Sequence, residues 1–230
     1  MIELIRDSGL YILLGEYPAG PLGGLALTLV LSACCIALVF PLAILVALAR
    51  TSGKRYLEWP VATYVNCVRC VPVLLIIFWI YLGAPGIVGF PLSGFTTIII
   101  AITLYQTAFL SEVIRAGIVA IPKGQIESAK ALGLSWFPIV WRIVLPQVVY
   151  NVSPGILNVA IIIIKETSLG YMVGVGEMTL TAGHVNSMTL TKPMEVFTIL
   201  AATYFVICYS LSRFTRALEN RVSTRLVTTQ

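Results

Sequence analysis

A stretch of 42 residues without a charged side chain, Cys70 to Ser111, constrains this chain more than any other feature. A bilayer core about 30 Å thick is crossed by roughly 20 apolar residues in a helix, so the stretch has about twice the length of one span. Its middle contains two groups of helix-breaking and turn residues, Gly83-Ala84-Pro85-Gly86 and Gly89-Phe90-Pro91-Leu92-Ser93-Gly94. We therefore expect two membrane spans that meet at a turn.

Three further apolar segments predict three more spans. They are Leu22 to Ala49, with 28 uncharged residues, Ile143 to Ile164 and Val196 to Ser212. Only 11% of the residues are charged, against about 25% in soluble domains. The prediction is an all-α integral membrane protein of five transmembrane helices. Residues 1–21 form an outer N-terminal segment, residues 22–220 the transmembrane domain and residues 221–230 a cytoplasmic tail.

The basic residues predict the orientation of these spans. Eleven of the 15 fall in two connections and the C-terminal tail, all on one side, namely Arg50, Lys54, Arg55, Arg115, Lys123, Lys130, Arg142, Arg213, Arg216, Arg221 and Arg225. By the positive-inside rule these connections are cytoplasmic, with the N-terminus outside. The net charge of +5 therefore reflects topology, and its division among three segments disfavours a nucleic-acid surface.

The second inner connection is unusually long and predicts a folded element at about residues 121–147. Helix connections in bundles usually take about 2 to 8 residues, whereas Lys123 to Gln147 is much longer. Gln125 to Leu132 has a helical pattern, and Gly133 follows where a helix favours a left-handed residue. Ser135 can then cap a second short helix that has Pro138 in its first turn. We expect a helix, a glycine corner and another helix.

The residues of this element resemble a known signature. Glu127-Ser128-Ala129, Gly133 after three residues, and Ile143-Val144-Leu145-Pro146 after nine more are similar to the EAA motif of permease subunits of bacterial binding-protein-dependent ABC importers. Ser128 replaces the usual alanine. Other segments resemble the polar amino acid branch, of the histidine, glutamate and glutamine type: Arg69-Cys70-Val71-Pro72, Ser111 to Ile118, Gly124-Gln125, Ala131-Leu132-Gly133, Leu145-Pro146-Gln147 and Lys165 to Leu169. Cys70, Val71 and Glu166 depart from that branch.

The resemblance implies a permease of the type I ABC importer class in the bacterial inner membrane, with a cytoplasmic coupling helix. The implied partners are two cytoplasmic ATPase subunits, a second permease subunit and an extracytoplasmic amino-acid-binding protein. The implied substrate is a polar amino acid, with an opine or amino acid derivative as the alternative. The chain has no G-x-x-x-x-G-K-[ST] loop. We therefore expect no enzyme activity or cofactor in this chain, and ATP with Mg on the partner ATPase.

The resemblance also implies two groups of functional residues. The residues implied to couple the spans to the ATPase are Gln125, Glu127, Ser128, Ala129, Ala131, Leu132, Gly133 and Pro146. The candidates for substrate binding are Lys165, Glu166, Thr167, Ser168 and Arg69. Lys165 and Glu166 interrupt an apolar run at a depth where a charge costs about 2.5 to 3.5 kcal/mol, so they either bind the two charged groups of an amino acid or pair with other helices. Arg69 either lines the pathway or extends to the inner interface.

The remaining polar residues favour structural roles over other functions. Glu112 and Arg115 are spaced for a local ion pair, and Thr28 is among the polar residues expected to bond between helices. Cys67 and Cys70 are interpreted as packing residues, and the only histidine, His184, as a solvated residue of an outer loop. An intramembrane enzyme would need a clustered nucleophile, base or metal site. A passive channel would have no use for the long inner element.

Overall fold

The computed structural model describes residues 2–189 and 191–228, and all the named elements in them are helices. In chain order these are α1 Ile2–Leu14, α2 Gly24–Arg50, α3 Arg55–Arg69, α4 Val73–Phe78, α5 Ala84–Val88, α6 Gly94–Val119, α7 Lys123–Ala131, α8 Trp136–Pro138, α9 Leu145–Glu166, α10 Met178–Thr189 and α11 Pro193–Thr228. Two π-helical turns, Trp79–Gly83 and Ile139–Val144, connect α4 to α5 and α8 to α9. A 3-10 helix, Thr167–Val173, follows α9. Residues 1, 229 and 230, from the predicted N-terminal segment and tail, lie outside the described residues.

The helices confirm the predicted membrane architecture. Four helices are long and apolar enough to cross a bilayer: Gly24–Arg50, Gly94–Val119, Trp136–Val173 and Pro193–Glu219. The bent pair Arg55–Arg69 and Val73–Val88 makes a fifth span when it is counted as one. The turn predicted within the longest uncharged stretch lies between Val88 and Gly94, where α5 ends and α6 begins.

The described chain divides into two compact units, of which the first comprises the chain up to Leu38, Val71–Tyr105 and Ala160–Leu211. In this unit α1 contributes Leu4 and Ile12 to an apolar cluster with Met178, Ala182, Val185 and Val196. The start of α2 is bonded closely to the segment before α10. The Gly24 N–H donates to the carbonyl of Gly176 at 2.9 Å, and Gly24 has a φ of +57°. A Cβ atom at Gly24 would lie 2.2 Å from the Ile12 carbonyl oxygen, so only glycine fits here.

An interhelical bond expected from the sequence lies in the same unit. The hydroxyl of Thr28 accepts the backbone N–H of Met178 at 3.1 Å, which joins α2 to the first residue of α10. Ser32, in contrast, donates to the Thr28 carbonyl of its own helix at 2.7 Å. The prediction of a bond between helices is therefore confirmed for Thr28.

The second unit comprises Val39–Cys70, Gln106–Val159 and the chain from Ser212 onward. A small apolar cluster of Leu48, Val140 and Leu145, joined by Ile44 and Ile118, holds α2, α6 and the start of α9 together. This unit contains the complete inner element predicted at residues 121–147. The packing of that element on the ends of the spans therefore decides how its side chains are presented.

Candidate coupling and substrate sites

The inner element folds around a helix that ends at a glycine corner. Helix α7 runs from Lys123 to Ala131, and Gly133 follows with a φ of +78°. The Gly133 N–H donates to the Lys130 carbonyl at 2.9 Å, and the Leu134 N–H to the Ala129 carbonyl at 3.2 Å. These are the two bonds of a Schellman motif, which needs a residue in the left-handed region after the helix. The predicted glycine corner is confirmed.

The segment after the corner differs from the prediction in two respects. Ser135 occupies the N-cap position of α8, with a ψ of 167°, but its side chain makes no capping hydrogen bond. The second helix is also not a separate short helix. From Trp136 the chain passes through Pro138 and the π-helical turn into α9, so the fourth span begins seven residues before the predicted Ile143. The apolar residues Ile139 and Val140 are buried there, which favours continuation of the helix.

Helix α7 is attached to the span through one buried methyl group and one side-chain bond. Ala129 is buried, with 4% exposure. The amide of Gln147 in α9 donates to the Gln125 side-chain oxygen at 2.9 Å and to the Ile143 carbonyl at 2.8 Å. The sequence places Gln147 in a motif but predicts no role for it. The structure shows that it is the hydrogen-bond partner of Gln125. The bond fixes the start of α7 against the first turns of α9.

The solvent-facing side of this inner element exposes large apolar side chains. Leu132 is 81% exposed, and the aromatic rings of Trp136 and Phe137 are also exposed. Phe137 packs on Trp141 with ring centroids 5.8 Å apart. Around them lie exposed polar or small residues, which include Gln125, Glu127, Ser128 and Pro146. We call this face, residues 123–146 of the second unit, the coupling surface. Exposed apolar patches with a polar rim usually mark protein contacts.

The candidate residues at the end of α9 lie where the α-helix becomes a 3-10 helix. Lys165 is exposed, Glu166 and Ser168 are partly exposed, and Thr167 is buried. The Thr167 hydroxyl donates to the Ile164 carbonyl at 2.7 Å, and the Ser168 hydroxyl donates to the Lys165 carbonyl at 2.6 Å. Both hydroxyl groups thus satisfy carbonyls that a tightening helix leaves free. Of the four, Lys165 presents its side chain most openly.

Arg69, the remaining candidate, lies at the last position of α3 in the second unit. Its guanidinium lies 5.4 Å above the centroid of the Phe109 ring and 3.9 Å from the Glu112 carboxylate. The Nε and Nη2 atoms of Arg115 also donate to the Glu112 carboxylate, with Nη2 at 2.9 Å from Oε2. Glu112 forms a further ion pair with Arg50. The predicted pair of Glu112 and Arg115 is confirmed, as part of a larger cluster.

A buried carboxylate that the sequence analysis missed lies at the start of α10. Glu177 has no solvent exposure, and its carboxylate accepts the N–H groups of Thr179 at 2.8 Å and Leu180 at 3.1 Å. The Tyr204 hydroxyl in α11 donates to it at 3.3 Å. Burial raises the pKa of Glu177 to about 7, although these hydrogen bonds oppose the shift. The available signal was its position as the only acidic residue between Glu166 and Glu195.

The first unit also contains a cavity of about 380 Å³ next to this segment. The residues that line it include Tyr11, Glu16, Ser93 and His184, together with five glycines. His184 is exposed, and its Nδ1 atom lies 3.2 Å from the Tyr11 hydroxyl, which joins α10 to α1. Within the described residues no group of three His, Cys, Asp or Glu side chains is arranged to hold a metal.

Comparison with known proteins gives a consistent family. Residues 39–224 match the family described as "Binding-protein-dependent transport system inner membrane component". The chain is 35% identical over 196 residues to the probable glutamine ABC transporter permease protein GlnM of Bacillus subtilis (strain 168), covering 85% of this chain and 89% of GlnM. It is 32% identical over 201 residues to the arginine transport system permease protein ArtQ of the same strain, covering 87% and 91%.

A solved structure is similar over nearly the whole chain. A crystal structure of an amino acid ABC transporter with histidines contains a chain that matches with a TM-score of 0.80 and 26% identity. The match covers 96% of this chain and 97% of that chain. The likeness confirms the predicted all-helical permease architecture, and the EAA and coupling-helix features are those of the matched family.

Proposed function

This chain belongs to the family of binding-protein-dependent transport system inner membrane components, and we propose that it forms the pathway for a polar amino acid in an ATP-driven importer. The chain is a multi-pass inner-membrane permease, which is a transport subunit and not a catalytic one. The finer assignment concerns its substrate and its partners. Relatives named for glutamine and arginine transport support an amino acid, while an opine or another amino acid derivative is the alternative substrate.

The coupling surface carries the proposal. A helix fixed by Ala129 and by the Gln125–Gln147 bond is rigid, and next to it Leu132 and two aromatic rings are exposed. Such a surface suits a groove in a cytoplasmic ATPase, whose closure on ATP and Mg would then move the attached spans. We propose that two ATPase subunits, a second permease subunit and an extracytoplasmic binding protein complete the importer.

The substrate contacts we propose are Lys165, Glu166, Thr167 and Ser168 at the end of α9, while a role of Arg69 in substrate binding stays a prediction. An amino acid has one carboxylate and one ammonium group. A lysine can bind the carboxylate and a glutamate can bind the ammonium group through charge-assisted hydrogen bonds. The exposed ammonium of Lys165 suits the carboxylate, and the partly exposed carboxylate of Glu166 suits the ammonium group. The hydroxyl groups of Thr167 and Ser168 hold the backbone beneath these charges in a 3-10 conformation.

The experiment is uptake of labelled amino acids into proteoliposomes that contain this chain with a cytoplasmic ATPase and an amino-acid-binding protein from the same organism. We expect uptake to require ATP and the binding protein. Lys165→Met and Glu166→Gln should each reduce uptake and leave assembly with the ATPase intact, because the coupling surface is unchanged. Lys54→Met, which removes an exposed lysine from the connection before α3, is the matched control and should transport normally.

The outcomes separate the proposed function from its competitors. Uptake without ATP would indicate a passive channel, and chemical conversion of a substrate by the purified chain would indicate an intramembrane enzyme. Normal uptake by both single variants would refute the substrate contacts and leave the importer assignment standing. Poor assembly of both variants would instead show that Lys165 and Glu166 hold the helices together.

A further inference from the structure

Three arginines in the second unit converge on one carboxylate. Arg50 and Glu112 form an ion pair with side chains 16% and 19% exposed. Arg115 donates from Nε and Nη2 to the same carboxylate, and Arg69 lies 3.9 Å from it. We call Arg50, Arg69, Glu112 and Arg115 the arginine cluster. None of its members is accounted for by the coupling surface, and Arg69 is the only one for which the sequence predicted a substrate contact, with extension to the inner interface as the alternative.

The arginine cluster has more positive charge and more donors than Glu112 can satisfy. Its three guanidinium groups carry fifteen N–H donors, and two positive charges remain after pairing with one carboxylate. Arg115 and Arg69 act on Arg50 as like charges, and Glu58 acts on it as an opposing charge. The Nε atom of Arg50 is buried without a hydrogen-bond partner. An additional anion would therefore relieve repulsion among groups that the fold holds together.

Part of the arginine cluster is open to a ligand. The Arg69 and Arg115 side chains are 41% and 35% exposed, whereas the Glu112 side chain near them is 19% exposed. The guanidinium carbon of Arg69 lies 5.4 Å from the centroid of the Phe109 ring, within the range of a cation–π contact. A guanidinium group is suited to phosphate oxygens, which it can bind through two parallel N–H bonds.

The residues around the arginine cluster indicate that it lies at the depth of the lipid headgroups. Arg50 ends the first span, and the first turns of the next helix, α3, expose Tyr56 and Trp59 at 70% and 76%, while Arg69 lies at the other end of α3. Exposed tyrosine and tryptophan side chains concentrate at the interface between membrane and water. Basic pockets between helices on the cytoplasmic side are also the usual binding places for anionic headgroups. The available anion at this depth is the phosphate of a phospholipid.

We propose that the arginine cluster binds the phosphate group of an anionic phospholipid from the inner leaflet, through the guanidinium groups of Arg69 and Arg115. The bound lipid supplies the negative charge that Glu112 alone does not provide. It joins the ends of α2, α3 and α6, and so it stabilises the second unit, which also carries the coupling surface.

The test uses the full chain in nanodiscs of phosphatidylcholine alone or mixed with phosphatidylglycerol. Native mass spectrometry counts the phosphatidylglycerol that the protein retains, and thermal unfolding measures its stabilising effect. The double variant Arg69→Met with Arg115→Met should bind phosphatidylglycerol roughly 30-fold more weakly, which is the loss expected for two basic residues near an anionic leaflet. Arg142→Met removes an exposed basic residue elsewhere in the same unit and should bind as the wild type does.

A second variant changes the affinity in the opposite direction. Glu112→Gln keeps the shape of the side chain and removes the competing carboxylate, so it should retain more phosphatidylglycerol than the wild type. An ion network with no lipid ligand predicts instead that this variant loses stability equally in both kinds of nanodisc. Inorganic phosphate added to phosphatidylcholine discs tests the other source of the same chemistry. Equal stabilisation by free phosphate, or unchanged lipid retention by the double variant, would overturn the proposal.

Discussion

Glu127 and Glu177 each belong to a short helical element between spans, and their carboxyl groups lie in opposite environments. Glu127 is exposed on α7, beside the large apolar side chains of the coupling surface. Glu177 precedes α10, has no exposure and accepts three hydrogen bonds from groups of its own unit. The element around α7 exposes both the Glu127 carboxylate and large apolar side chains to solvent. At the start of α10, in contrast, the Glu177 carboxylate is fully buried.

The difference teaches where each element obtains its stability. The start of α10 satisfies its free N–H groups internally, so its conformation is determined by the permease chain itself. The coupling surface leaves Leu132 and the aromatic rings in solvent, so part of its apolar area is available for burial against another protein. A change at the first element should therefore alter folding, and a change at the second should alter association.

Glu177→Ala should produce the largest loss of stability. It removes the acceptor of two partly buried N–H groups and of the Tyr204 hydroxyl. An unsatisfied group costs about 1 to 3 kcal/mol, and partial burial favours the lower end, so a total of about 3 to 4 kcal/mol is expected for the three groups. Thermal unfolding of the purified chain measures this loss. Glu127→Ala is the matched change and should unfold like the wild type, but co-purify with less ATPase. Equal stability of the two variants would show that the comparison is wrong.

The titration of Glu177 sharpens the same comparison. Its pKa is raised from 4.5 to about 7 by burial, so the folded protein holds the proton more tightly than the unfolded chain. This contribution to stability is complete below about pH 4.5 and is lost as the pH rises to about 7, a loss of up to about 3 kcal/mol at 1.4 kcal/mol per pH unit. Glu177→Gln should remove this part of the pH dependence of unfolding. Glu127→Gln should keep it, and identical pH profiles of the two variants would contradict the assignment.

The next effect in size concerns the glycine corner. Gly133→Val places a β-branched residue at a φ of +78°, at a cost of about 1 to 2 kcal/mol. The corner should open and shift Leu132 relative to Trp136, so ATPase co-purification should fall more than expression. Gly124→Ala is the control, because Gly124 lies in α7 without a left-handed φ and with open space around its Cβ position. Normal transport by the Gly133 variant would remove this corner from the coupling mechanism.

The sequence predicted what periodicity, charge and local turn chemistry determine. Uncharged length indicated five spans, and Gly133 indicated the corner because a helix end followed by glycine is a local pattern. The enclosure of Glu177 was not predictable in this way, since its partner Tyr204 lies 27 residues away and α11 must pack before the two meet. The convergence of Arg50 and Arg69 on Glu112 also joins three separate helices. Local sequence patterns do not predict contacts between residues so far apart in the chain.

The smallest expected effect concerns the bond that attaches α7 to α9. Gln125→Ala and Gln147→Ala each remove one partner of the 2.9 Å side-chain bond, which is exposed and therefore contributes about 0.5 to 1 kcal/mol. A double-mutant cycle on thermal unfolding should give a coupling energy in this range. Gln147 also donates to Ile143 within its own helix, so the Gln147 variant should lose slightly more stability than the Gln125 variant.

This bond distinguishes attachment of the coupling surface from its contact with the ATPase. If the bond transmits movement from α7 to the span, both variants should still co-purify with the ATPase, while uptake per ATP hydrolysed falls in both and falls no further in the double variant. Lys54→Met is the control, because Lys54 is exposed in the connection before α3 and lies outside the coupling surface. Independent, additive losses in the two glutamine variants would show that α7 moves the span through its apolar contacts, such as that of Ala129, and not through this bond.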